Sequence, residues 1–376
     1  METKSPFYLR ATITLFGIVI FMFVLYILRG VLVPLSFAMM FAILLNPFVN
    51  WIQSKGVNGI VAIFIAILIA ILIVAGVMVF VSSQVASFTD NMPVLEKKFS
   101  DMFHQLQIFL RNNYSLSFSR QSQLLSEAVD NLKPLVGQTL GSVLGALSMI
   151  ILLPIYTFLI LFYKKLILNF LYEIFAEKNS DKVAKVLQET KNAIQSYMVG
   201  LLLEAIIVAV MNSVALLLLG VKYAILLGVM GALLNMLPYI GGIIAIALPL
   251  LIATMTKDGY STQLGVIGAY ALIQFIDNNI LVPRIVSSQV KINALVSLVI
   301  VLLGGAIWGV SGMFLSIPFI AVLKIIFDRV DGLKPWGKLL GTQIPYLHKG
   351  ELWKRRFGRI RRPVPVKVED DPKSVS

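Results

Sequence analysis

The chain has 376 residues, of which 58% are hydrophobic and 14% are charged. Soluble domains carry about 25% charged residues, so this composition excludes an ordinary soluble protein and indicates a polytopic membrane protein. Cysteine is absent, which excludes disulfides, thiolate metal sites and a cysteine nucleophile. The two histidines, His104 and His348, lie outside every long apolar run, so a histidine-rich metal site within the membrane is also excluded.

Apolar runs that approach the ~20 residues needed to cross a bilayer core recur along the chain. They lie at 11–28, 31–45, 60–82, 141–163, 197–219, 222–237, 239–256, 261–282, 294–310 and 311–328. Several are short, and two neighbouring pairs are separated only by Pro238 or by a glycine-rich bend, a pattern typical of broken helices or re-entrant hairpins. We therefore predict an all-α polytopic membrane protein with about eight transmembrane helices, within a range of six to ten, plus such hairpins and extramembrane amphipathic helices.

The predicted organisation has six segments. They are N-terminal spans (1–83), an external amphipathic helical segment (84–136), one span (137–163), a cytoplasmic linker helix (164–196), a membrane core (197–328) and a basic, partly disordered cytoplasmic tail (329–376). In the external segment, apolar residues recur at intervals of three and four, as in an amphipathic helix. That stripe could pack on a partner helix or the membrane surface, or form a lid or oligomer contact.

The distribution of positive charge predicts the orientation. Of the 32 Lys and Arg residues, 13 lie from Lys324 onward, and 24 fall in segments that are inside if both termini are cytoplasmic. Cytoplasmic segments carry the excess of Lys and Arg, so both termini are predicted to be cytoplasmic. For a basic tail beside a membrane span, the nearest polyanion is anionic lipid, and nucleic acid is not expected as a partner.

The most unusual run is Gln274 to Asn279, which places polar side chains inside an apolar segment. Gln274, Asp277 and Asn278 have helical spacings of three and four and share one face. Asn279 points aside but is included as a candidate, because it can cap a helix or bind across a helix interface. An ionisable group inside a membrane span is by default a candidate functional residue, and these oxygens suit a proton, Na⁺ or a hydroxylated solute. Alternatively, Asp277 forms a structural ion pair with Arg284, two turns further along the same face.

Two further candidate groups lie earlier in the chain. Glu204 lies one turn into an apolar run, where its carboxylate either extends to the membrane surface or binds a coupling ion or proton. Asn235 precedes a segment that forms either a simple tight turn or a hairpin lining the transport pathway. The residues expected to break or gate helices are Pro238, Gly241, Gly242, Pro249 and Pro283.

An enzymatic function is not expected. Residues Gly309 to Gly312 match the GxSG element of rhomboid proteases, but a serine nucleophile needs a base and no apolar run contains a histidine. No metalloprotease or nucleotide-binding motif occurs, so no catalytic residue, cofactor or metal is assigned.

The chain resembles the AI-2E family of transporters, most densely from residue 190 to 330. The matching motifs are Leu219 to Ala224, Asn235 to Gly242, Pro249, Gln274 to Pro283, Gly304 to Gly312 and Ile317-Pro318. Leu201 follows Gly200 where family members often carry Gln, so that residue's role cannot be transferred. The resemblance implies an inner-membrane permease driven by an ion gradient, with members linked to autoinducer-2 export and Na⁺/H⁺ exchange, and a homo-oligomer by analogy.

These observations favour a secondary transporter that exports a small polar solute, such as an autoinducer-2-like signal, or exchanges cations. Asp277 is the expected coupling residue, with Gln274 and Asn278 beside it. A membrane scaffold that transports nothing and a passive channel are the two alternatives.

Overall fold

The computed structural model describes residues 6–90, 104, 108, 151–175, 180–237, 241–257, 259–286 and 292–342. The helices are α1 (Phe7–Ile27), α2 (Arg29–Ser54), α3 (Gly59–Asp90), α4 (Ile151–Phe162), α5 (Lys164–Phe175), α6 (Ser180–Leu218), α7 (Ala224–Asn235), α8 (Gly241–Thr256), α9 (Ser261–Ile276), a π-helix (Asp277–Val286), α10 (Ala294–Arg329), a short 3₁₀ turn (Asp331–Leu333) and α11 (Lys334–Leu340). Within these ranges the only β-type pairing is an isolated bridge between Ile292 and Gly341. The predicted all-α class is confirmed.

The described residues contain six helices that are long and apolar enough to cross a membrane, or seven if the bent pair α4 and α5 forms one span. Counted by length and composition, the six are α1, α2, α3, α6, α9 with its π-helical continuation, and α10, although α10 is folded into two arms at Gly309. The pair α4 and α5 bends by 63° at Tyr163. This number lies within the predicted range and confirms a multi-pass membrane protein.

The central element is α6, whose 39 residues are long enough to reach about 58 Å. It contacts α2, α5, α7, α9, the π-helix and α10. The predicted boundary between linker and membrane core, at residues 196 and 197, falls inside this one continuous helix. No proline or glycine pair interrupts the sequence there, so the hydrogen-bonded ladder continues across the change from amphipathic to apolar sequence.

Helices α7 and α8 form the first hairpin, which begins at the C-terminal end of α6. Its two ends meet, because a Cβ atom on Gly220 would lie 3.2 Å from Lys257 Nζ. The arms have 12 and 16 residues, about 18 and 24 Å, which is less than the ~30 Å core of a bilayer. The first hairpin therefore enters and leaves at the same end of α6, and each of its arms is shorter than a full span.

The two arms of α10 form the second hairpin, folded at Gly309, whose φ of 63° lies in the left-handed region that favours glycine. Ser316 Oγ on the returning arm donates to Ile300 O at 2.9 Å and Gly312 O at 2.6 Å. Gly304 and Gly312 meet backbone to backbone, since a Cβ atom on Gly312 would lie 1.9 Å from Gly304 O. The glycine-rich bend predicted between 294–310 and 311–328 is confirmed.

The base of the second hairpin lies against the N-terminal part of α6, which we call the charged end. Arg329 pairs with Glu189, and Lys182 pairs with Asp331 at 3.3 Å. Hydrogen bonds from Lys334 and Lys182 hold the pKa of the exposed Asp331 carboxyl group below its ordinary value. The two hairpins thus start at opposite ends of α6 and extend towards its middle.

Part of the predicted organisation lies outside the described residues. This applies to nearly all of the external amphipathic segment, to the first half of the predicted span 137–163, and to the basic tail after residue 342. Those assignments remain predictions.

Candidate functional site

A cavity of about 900 Å³ lies between the two hairpins, α6, α9 and the π-helix. Most of its wall is apolar and is formed by residues such as Ile194, Leu201, Ile246, Ile267 and Ile317. Five side chains with carboxyl or amide groups gather in the same wall: Glu204, Asn235, Gln274, Asp277 and Asn278. A mostly apolar cavity of this size with a few convergent polar groups is typical of a small-molecule site.

Asp277 lies where α9 changes into the π-helix, and its side chain is only 2% exposed. Asn235 Nδ2, at the end of α7, donates to Asp277 Oδ2 at 2.8 Å, and Gln274 Nε2 lies 3.5 Å from the same oxygen. Oδ1 is buried and has no hydrogen-bond partner among the described residues. The π-helix widens the turn at this point, and such irregular turns are frequent at functional sites.

Glu204 on α6 lies opposite Asp277 and is 6% exposed. Both carboxyl groups line the same cavity wall and are close enough to interact electrostatically. Because a carboxylate cannot donate a hydrogen bond, a direct bond between them requires one proton. The buried position of Glu204 does not fit the alternative in which its carboxylate extends to the membrane surface, and the pair can hold and release a proton.

Gln274 connects the carboxyl pair to the first hairpin. Its Nε2 donates to Asn278 Oδ1 at 3.2 Å, which confirms the shared face predicted for these residues. A Cβ atom on Gly242 would lie 2.3 Å from Gln274 Oε1. Gly242 is therefore needed for the close approach of α8 to Gln274, whereas Gly241 allows α8 to touch the backbone of Leu234 on α7.

The remaining predicted residues are placed differently. Asn279 is exposed and donates to Phe275 O of its own helix at 2.8 Å, and it is not part of the cavity wall. Pro249 is buried inside α8 and does not break it, so the second break predicted there does not occur. Pro283 lies within the π-helix, and Pro238 lies outside the described residues.

Arg284 does not pair with Asp277. Both residues are described, and the ion pairs of the described residues do not include one between them. The wider turn of the π-helix changes the angular relation that a regular helix would give two residues seven apart. Asp277 therefore does not form the alternative ion pair with Arg284 and instead accepts a hydrogen bond from Asn235.

Two buried polar residues beside the site were not predicted, namely Asn212 and Tyr270. Asn212 follows Glu204 by eight residues on α6, so the two share a face, and this spacing was visible in the sequence. Tyr270 precedes Gln274 by four residues on α9 and lines the cavity. Tyrosine is common at membrane interfaces, and for this reason its position in an apolar run did not indicate a buried role.

Within the described residues, no group of three or more His, Cys, Asp and Glu side chains is placed to hold a metal ion. The polar wall instead offers two carboxyl groups and three amides. This chemistry suits protons, small monovalent cations and hydroxylated solutes.

Comparison with known proteins identifies the family. The sequence model of the AI-2E transporter family matches residues 15–332 of this chain. The chain is 25% identical to the "Putative transport protein YhhT" of Escherichia coli K12, over 92% of this chain and 98% of that protein. It is 24% identical to the "Putative transport protein YueF" of Bacillus subtilis 168, over 79% of this chain and 83% of that protein. Identity to the "AI-2 transport protein TqsA" of E. coli K12 is 23%, with coverage of 80% and 87%. The chain therefore belongs to the AI-2E transporter family, and its general function is transport across a membrane.

Proposed function

We propose that this protein is a secondary transporter that uses an ion gradient to export a small polar solute or to exchange cations. The buried carboxyl pair of Glu204 and Asp277, at the edge of a cavity of about 900 Å³, is the observation that carries the proposal. Ionisable groups inside a membrane are costly and commonly mark proton or ion pathways. Protonation of the pair changes its charge, which gives the site two states that an ion gradient can drive.

The cavity supports a small solute with hydroxyl or carbonyl groups. The amides of Asn235, Gln274 and Asn278 can both donate and accept hydrogen bonds, and the apolar wall excludes large charged groups. A relative of this chain is named as an AI-2 transport protein, so autoinducer-2 is the first solute to test. Sodium is the first cation to test, because carboxylate and amide oxygens are hard ligands.

The proposal is tested with the full-length chain reconstituted in liposomes. Radiolabelled autoinducer-2 and ²²Na⁺ serve as probes, and an enclosed dye reports internal pH. We expect an imposed pH gradient to drive accumulation of one probe above its equilibrium level. Flux that only equilibrates the probe across the membrane would indicate a passive channel. Absence of any flux would favour a membrane scaffold that transports nothing. Either result would contradict the proposal.

We also propose a cell-membrane location, the inner membrane where a cell has two, with the charged end of α6 in the cytoplasm, as the distribution of Lys and Arg favours. Because the chain has no cysteine, single cysteines can report orientation. Lys185→Cys tests the charged end, and Tyr260→Cys tests the opposite end, where Tyr260 is 83% exposed. In intact cells a membrane-impermeant maleimide should label only Tyr260→Cys, and labelling of only Lys185→Cys would reverse the orientation.

A further inference from the structure

A second, much smaller void of about 10 Å³ adjoins the main cavity, and we call it the inner chamber. Its polar wall consists of Asn212, Asn235, Tyr270, Gln274 and Asp277. All but Asn212 also line the main cavity. A space of about 10–15 Å³ on this measure holds one water-sized particle, so the inner chamber has room for a single water or a single small ion.

Three buried oxygen atoms of this wall have no hydrogen-bond partner among the described residues. They are Asn212 Oδ1, Tyr270 Oη and Asp277 Oδ1, on side chains that are 2%, 7% and 2% exposed. Leaving a buried polar atom without a hydrogen-bond partner costs about 1–3 kcal/mol. Three such atoms around one void therefore indicate that an ion or a water binds there. The carboxylate of Asp277 also needs a compensating positive charge whenever it is deprotonated.

Gly231 on α7 keeps the inner chamber open. A Cβ atom at this position would lie 3.2 Å from Asn212 Nδ2 and 3.4 Å from Tyr270 Oη. A methyl group there would occupy the space between the side chains that line the void. The glycine is in a regular helix, where alanine is normally the more stable residue, so its presence is explained by the space that it leaves.

The donor set fits a monovalent cation better than the alternatives. Carboxylate, amide and phenol oxygens are hard ligands, which bind hard cations and do not select soft transition metals. The inner chamber contains one carboxylate, so one monovalent cation balances its charge, while a divalent ion would leave an uncompensated charge in an apolar interior. A water could bridge the three oxygens, but it would not neutralise Asp277 once the carboxyl pair has released its proton.

We propose that the inner chamber is a binding site for one dehydrated monovalent cation of the size of Na⁺ or Li⁺, held by Asn212, Tyr270 and Asp277. Coupling ions of secondary transporters bind beside broken helices near the middle of the membrane, and the inner chamber lies at the tip of the first hairpin. The site would supply the coupling cation of the transport proposed above, and its role in transport rests on that proposal. The binding of a cation to the inner chamber does not depend on the proposed transport.

The test measures binding without transport. The purified full-length chain is unfolded thermally in detergent at equal ionic strength in NaCl, LiCl, KCl and choline chloride. A ligand that binds only the folded state raises the melting temperature in a saturable way. We expect Na⁺ and Li⁺ to raise it relative to choline and K⁺ to have a smaller effect. Equal melting temperatures in all four salts would overturn the proposal and would indicate that the inner chamber holds a water molecule.

Two variants and one control sharpen the test. Gly231→Ala fills the inner chamber without removing a ligand, so it should abolish the Na⁺-dependent shift while the protein in choline stays folded. Asn212→Ala removes one neutral ligand and should weaken the apparent Na⁺ affinity by about tenfold or more. Gln263→Ala is the matched control, because Gln263 also has a buried, unpartnered oxygen on α9 but does not line the inner chamber. A shift that persists in Gly231→Ala, or disappears in Gln263→Ala, would contradict the site.

The outcomes separate this proposal from the proposed function. A Na⁺-dependent shift that needs Gly231 and Asn212 supports the cation site even if liposomes show no flux. Gradient-driven transport without any Na⁺- or Li⁺-dependent shift would leave secondary transport in place and remove the cation site.

Discussion

At the scale of single residues, the site depends on which amides touch the carboxyl pair. Asn235 donates to Asp277 Oδ2 at 2.8 Å across two elements, whereas Asn279 donates only to a backbone carbonyl of its own helix. Both are asparagines in the same membrane core, and both were candidate site residues from the sequence. Their contacts now predict opposite behaviour.

Replacing Asn235 by alanine should reduce gradient-driven flux in liposomes by roughly tenfold to a hundredfold. A hydrogen bond to a charged group contributes about 1.5–3 kcal/mol, which corresponds to that range. Asn279→Ala should keep wild-type flux at equal protein content, because its side chain lies outside the cavity wall. If Asn279→Ala were as damaging as Asn235→Ala, the assignment of the site to the cavity wall would be wrong.

The identity of several site residues was predictable from sequence, but their contacts were not. Asp277, Gln274 and Asn278 were found because polar groups are rare in apolar runs and because helical spacing places them on one face. The approach of Glu204 to Asp277 joins residues 73 positions apart, and no local pattern encodes such a contact. Asn212 could have been found by applying the same spacing argument to the apolar run that contains Glu204.

At the scale of elements, the two hairpins depend on glycines where backbones meet. The second hairpin has its closest contact between Gly304 and Gly312, which sit on its facing arms. Glycine and proline in short apolar runs indicated both hairpins in advance. The π-helix from Asp277 to Val286 was not indicated, because a hydrophobic pattern does not distinguish a slightly wider turn from a regular one.

Gly312→Ala should destabilise the protein by about 1–3 kcal/mol or more, because its new methyl group would overlap Gly304 O and force the arms apart. The measurement is thermal unfolding of the purified chain in detergent. Gly268→Ala is the matched control, since a Cβ atom on this α9 glycine meets nothing within 4 Å. It should leave the melting temperature unchanged or raise it slightly. Equal melting temperatures for the two variants would contradict the packing of the second hairpin.

At the scale of the whole molecule, a long helix holds two hairpins that start from its opposite ends. The tip of the first hairpin and the returning arm of the second both line the main cavity, and the carboxyl pair lies at their meeting point. Discontinuous helices that meet at a central site are a recurring layout of secondary transporters. In the proposed transport cycle, protonation of Glu204 and Asp277 couples an ion gradient to movement of a solute through this cavity.

The most direct test compares carboxyl variants for uphill transport in the liposome assay. Glu204→Gln and Asp277→Asn keep side-chain shape but remove a titrating group, and Glu173→Gln does the same at an exposed position on α5. We predict that Glu173→Gln accumulates the probe against its gradient like the wild type, whereas both site variants fail to accumulate it when equally reconstituted. Full gradient-driven accumulation by Asp277→Asn and Glu204→Gln would show that neither carboxyl group couples the ion gradient to transport.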